Sequence, residues 1–66
     1  MKYVIELEGS HGDLGYAYHD PIEGWIATRI LTNAMIFENK NAASIIIQQK
    51  YSTWKGQKTI RQYNVK

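Results

Sequence analysis

The chain contains no cysteine, which removes disulfides and thiolate metal sites from the ways a small domain can brace itself. It has no apolar run near the roughly 20 residues of a membrane-spanning helix. Its start, MKYVIELEG, places Glu6 and Glu8 where a secretion signal needs an apolar stretch. A soluble cytoplasmic protein with no membrane association is the expectation. Histidine is scarce: His11 and His19 are the only two. With Asp13 and Asp20 they could ligate a metal or supply an acid and a base. In a hairpin, however, they fall near opposite ends of one strand, about 20 Å apart on strand rise. No nucleophile with a positioned base is visible. The expectation is a non-enzyme with no cofactor and no metal.

What remains is a chain of 66 residues, 44% hydrophobic, read as one domain over residues 1–66. A domain of this size buries only about 60% of the surface its unfolded chain exposes. Charge is uneven: residues 1–24 carry net −4 and residues 25–66 net +6. A basic half suits a polyanion. The competing explanation pairs the first and last strands, so that Glu6 and Glu8 face Lys58 and Arg61 across the sheet; we favour it.

The periodicity predicts order β-β-β-α-β. Residues 2–8 alternate Tyr3, Ile5 and Leu7 with Glu6 and Glu8, a half-buried strand. Gly9-Ser-His-Gly-Asp13 is a turn; although glycine-rich enough to cradle a phosphate, it runs into a strand rather than a helix, and Asp13 opposes an anion. Residues 14–19 form the second strand, with Tyr16 and Tyr18 on one face. Asp20-Pro21-Ile22-Glu23-Gly24 is the next turn. Residues 25–31 form the third strand, with Ile26, Thr28 and Ile30 as the expected core face. Thr32 is positioned to cap a single helical turn that returns Ile36 and Phe37 to the core. Asn41 is the expected N-cap of a helix over residues 41–54, with Ala43, Ile46, Ile47, Lys50 and Trp54 on one stripe, Tyr51 beside it, and Gly56 as its stop. Residues 58–65 form the last strand, with Arg61, Tyr63 and Val65 on one face. The fold class is α+β: a small antiparallel sheet of three to five strands with one helix on one face.

The stretch Thr32-Asn-Ala-Met-Ile-Phe37, a polar loop, then Ala42-Ala43 opening a helix resembles an arrangement in small proteins from phages of Gram-positive bacteria, as does Tyr3-Val4-Ile5. The resemblance covers about half the chain. It implies provenance from a mobile element or virus, and hence the cytoplasm of a host cell, more than any activity.

The functional hint is a surplus of large aromatics. Tyr16, Tyr18, Trp25, Tyr51, Trp54 and Tyr63 exceed what one small core can bury with every polar atom satisfied. Exposed rings anchor protein interfaces and stack on bases. With Arg61 and Lys58, these six are the candidate binding residues. The leading expectation is a binding protein that inhibits or sequesters a host factor, of the counter-defence type, with a host protein favoured over a small anionic signal. The alternatives are a nucleic-acid-binding module using Lys50, Lys55, Lys58, Arg61 and Lys66, and a virion assembly subunit. A homodimer, formed through the sheet face opposite the helix, is also expected, with Ile45 as a second contact.

Overall fold

The computed structural model describes residues 1–63. It is an α+β fold: strands β1 (Lys2–Glu8), β2 (Leu14–Asp20), β3 (Gly24–Thr28) and β4 (Lys58–Tyr63), with one helix, α1 (Lys40–Lys50), between β3 and β4. The sheet is antiparallel throughout, in the order β3-β2-β1-β4. First and last strands are therefore neighbours, as the charge distribution suggested.

Alternation along β1 sends Tyr3, Ile5 and Leu7 to the helix side. Ile5 and Leu7 are fully buried there, clustered with Ala17, Phe37, Ala43 and Tyr51. The β1–β2 turn closes through Gly9 N–H to the Asp13 carbonyl at 2.7 Å. Gly12 sits at φ 80°, a conformation glycine adopts without cost. The β2–β3 turn is held by the Asp20 carboxylate, which accepts from the Ile22 and Glu23 N–H groups at 2.8 and 2.9 Å. These bonds, Glu23's foremost, hold the Asp20 carboxyl below its ordinary pKa.

β3 differs from expectation in length and face. It ends at Thr28, followed by a single 3-10 turn over Leu31–Asn33. Thr32 lies inside that turn rather than capping it; the residue before it is Ile30, which makes no side-chain cap bond. The core-facing residue is Trp25, not Ile26. Its ring lies 6.4 Å from Phe37, 6.2 Å from Tyr51 and 5.1 Å from His19, centroid to centroid. Burying an indole removes more apolar area than burying an isoleucine, and the alternation then puts Ile26 on the far face.

The β1–β2 pair is forked. Partners run only from Glu6–Tyr16 to Glu8–Leu14. Beyond them residues 35–37 enter the gap. Met35 N–H donates to the Ala17 carbonyl at 2.9 Å, and Tyr3 and Phe37 exchange both backbone bonds at 2.9 and 2.8 Å. Phe37 thereby reaches the helix-side core, as the sequence reading required.

Helix α1 is capped two residues earlier than expected. Asn39, not Asn41, is the cap; its Oδ1 accepts from Ala42 N–H at 2.8 Å. This start brings the Lys40 ammonium 5.9 Å from the Tyr3 ring centroid and leaves Ala43 buried, with Ile46 and Ile47 packed on the core. The helix also stops earlier, at Lys50. Tyr51 drives its ring inward and donates its hydroxyl to the Ile26 carbonyl at 2.7 Å. Trp54 turns away to donate its indole N–H to the Glu8 carbonyl at 3.0 Å. Gly56 does not stop the helix; it lies against the Glu8 carbonyl, where an added Cβ would stand 1.7 Å from the oxygen. Val65 and Lys66, placed in or after the last strand by the sequence reading, lie outside the described residues.

Candidate binding surface: the sheet face away from the helix

The fold divides the six aromatics into two groups. Trp25, Tyr51 and Trp54 belong to the helix side. Tyr51 is buried, and Trp25 and Trp54 are partly buried against the same cluster. Burial pushes the Tyr51 phenol pKa up. These three rings build the core, with Tyr51 meeting Trp25 and Trp54 edge-on. Tyr16, Tyr18 and Tyr63 share the opposite face with Ile26 and Arg61.

That opposite face does not carry α1, yet it is less bare than a flat aromatic sheet. Val4, which alternation places there, is only 2% exposed, although it lies outside the helix-side cluster. Tyr16, Tyr18, Ile26 and Tyr63 are half-buried. No tryptophan is present on it. The expectation of exposed Trp side chains on this face therefore fails, because both indoles found partners on the helix side. Sequence reasoning missed Ile26 here; its place follows from Trp25 taking the core. It also missed the segment after β3, where Ile30, Leu31 and Met35 are exposed apolar residues. The apolar run Ile30-Leu31 breaking off at Thr32-Asn33 was the available signal.

The basic residues are largely spoken for. Arg61 Nη2 lies 3.4 Å from Glu6 Oε1, as the cross-strand reading expected. Lys58 does not face Glu8. Its ammonium lies 3.3 and 3.4 Å from the Tyr51 and Trp54 carbonyls, a cation at the negative end of a helix. Lys2 binds Glu38 at 2.6 Å and Arg29 binds Asp13 at 3.1 Å. The Lys2 ammonium holds the Glu38 carboxyl below its usual pKa. Among the described residues, Lys40, Lys50 and Lys55 make no ion pair.

Asp13, Asp20 and His19 each have a structural partner: Arg29, the β2–β3 turn, and Trp25. A second feature is a shallow cavity of about 220 Å³ beside Trp54, floored by Leu7, Gly15 and Ala27 and rimmed by the Asp13–Arg29 pair. Its rim charges neutralise each other, and the indole N–H that faces Glu8 is already used. Among the described residues, no helix is long and apolar enough to cross a membrane.

Comparison of the chain with protein-family models, with curated proteins and with solved structures finds no match.

Proposed function

We propose that the chain is a non-enzymatic protein-binding domain that works through the sheet face away from the helix. The observation that carries this reading is the placing of Tyr16, Tyr18, Ile26 and Tyr63 with Arg61 on the one sheet face that α1 leaves open. Tyrosine and arginine are over-represented among the residues that dominate binding energy at protein interfaces. Half-buried tyrosines pay little entropy on docking, since their rings are already restrained by neighbours. An inhibitory role against a host protein, in a host cytoplasm, rests on the resemblance to small phage proteins alone.

A nucleic-acid role draws less support. Stacking needs exposed rings beside free cations. Here the tryptophans serve the core, Arg61 is drawn to Glu6, and Lys58 is drawn to the helix end. Capture from a Gram-positive bacterial lysate tests the proposal, using the native chain and a Tyr16→Ala/Tyr18→Ala variant shown by circular dichroism to be folded. The expected result is a discrete protein retained by the native chain at moderate salt and lost with the variant. Retention of nucleic acid that collapses between low and moderate salt, or identical captures by both chains, would refute it.

A further inference from the structure

We propose that the free edge of β4 is a docking site for a second copy of this chain, joined strand to strand about a two-fold axis at Ile60. In an antiparallel ladder, residues alternate between exchanging both backbone bonds with the neighbour and pointing them away. Glu8 N–H donates to the Gln57 carbonyl at 2.9 Å, and the register continues unbroken from Leu7–Lys58 to Lys2–Tyr63. Residues 59, 61 and 63 therefore direct their backbone groups to β1. The parity holds from the other side too: Tyr3, opposite Gln62, turns its N–H and carbonyl to Phe37 instead. Lys58, Ile60 and Gln62 are left with N–H and C=O groups aimed at the free edge, and among the described residues no element pairs with it.

Exposed edges are normally guarded by lysine, proline or a bulge. β4 has no proline and no bulge. Its two cations are drawn off the edge. Lys58 folds back onto the Tyr51 and Trp54 carbonyls, and Arg61 reaches sideways to Glu6. The other edge strand, β3, is one residue shorter, and the same parity gives it only Trp25 and Ala27 to offer.

Charge and the pairing of every outward residue within β4 together select the register. An axis at Ile60 sets Ile60 opposite its copy, Lys58 opposite Gln62 and Arg61 opposite Thr59, so all three outward residues pair and no like charges meet. An axis at Arg61 would oppose two arginines, and one at Lys58 two lysines. The product is a continuous eight-stranded sheet that leaves the Tyr16–Tyr18 face uncovered on both copies. This inference stands apart from the binding role of that face.

Amide hydrogen exchange and sedimentation equilibrium across a concentration series test it. The 59 and 61 amides should be protected at every concentration. Those of 58, 60 and 62 should exchange fast when dilute and slow by about tenfold once nine-tenths of the chain is dimeric. Gln62→Pro removes an outward N–H that no intramolecular bond uses, a position where an edge strand tolerates proline; it should give a folded monomer with the lysate capture unchanged. A monomer at several hundred micromolar, unchanged 58, 60 and 62 amides, or a folded Gln62→Pro chain that still dimerises would each overturn the proposal.

Discussion

Replacing Gly56 by alanine should remove a large share of the fold's stability, and the reason is a single approach distance. The added Cβ would stand 1.7 Å from the Glu8 carbonyl oxygen, 2.9 Å from its carbon and 3.0 Å from the Trp54 indole nitrogen. The first two atoms are backbone at the start of the β1–β4 ladder, so no flexible side chain can yield. Residue 56 must move away, taking with it the Trp54-to-Glu8 bond and loosening the neighbouring Glu8–Gln57 bond. Forcing a methyl into packed structure costs about 1–3 kcal/mol, and one lost hydrogen bond about 0.5–1.5 kcal/mol. The sum, about 1.5–4.5 kcal/mol, compares with a total of roughly 3–10 kcal/mol for 66 residues at typical per-residue stability. Urea unfolding followed by tryptophan fluorescence reads it directly, because Trp54 reports on the same contact. Gly12→Ala is the matched control: its site has open space but φ 80°, so only the left-handed conformation is penalised, about 1–2 kcal/mol. A Gly56→Ala loss no greater than that of Gly12→Ala would refute the argument.

Asn39→Ala should cost about 1 kcal/mol as the loss of an N-cap, while Asn41→Ala should change stability little, since Asn41 is exposed in the first turn; thermal melts of the two variants decide between the caps. Ile5→Ala, at a fully buried site, should cost about 2–5 kcal/mol, and Ile46→Ala less, because Ile46 is only partly buried. Stability should fall in acid. The Asp20 and Glu38 carboxyls are depressed in the folded state, so they stabilise it above the ordinary carboxylate range near pH 4 and lose that contribution as pH drops through their lower folded values. Urea midpoints measured from pH 7 to pH 2 check the sign, and Asp20→Asn should flatten the dependence.

The elements were legible where local chemistry and burial agree. Period-2 alternation located β1 and β2, the Asp20-Pro21 turn followed from its side chain's reach, and Phe37 was placed in the core by its spacing from Thr32. What sequence could not settle were choices between near-equivalent residues. Asn39 and Asn41 are both competent caps, and tertiary fit of Ala43 and Lys40 decided between them. Trp25 and Ile26 are both apolar, and which faced inward depended on Phe37 and Tyr51 arriving from elsewhere in the chain. The same decision split the aromatic set. Counting rings predicted a surplus at the surface, but only Tyr16, Tyr18 and Tyr63 are turned away from the helix, since the tryptophans found bonded or stacked places within the core. The cross-strand charge argument held for Glu6 and Arg61 and failed for Lys58, because the Tyr51 and Trp54 carbonyls just past the helix end, invisible to a strand pattern, competed for its ammonium.

The fork between β1 and β2 dictates the order in which this chain can assemble. A hairpin ordinarily zips from its turn to its ends within microseconds. Here zipping halts at Glu6–Tyr16, and the remaining gap waits for residues 35–37, which come from the far side of β3. Their arrival places Phe37 where Trp25 and α1 need it, and β4 closes the sheet from the other end of the chain. The nucleus should therefore join distant segments rather than grow from the first turn. Substitutions at Tyr3 or Phe37 should slow folding, whereas changes in residues 9–13 should mainly hasten unfolding.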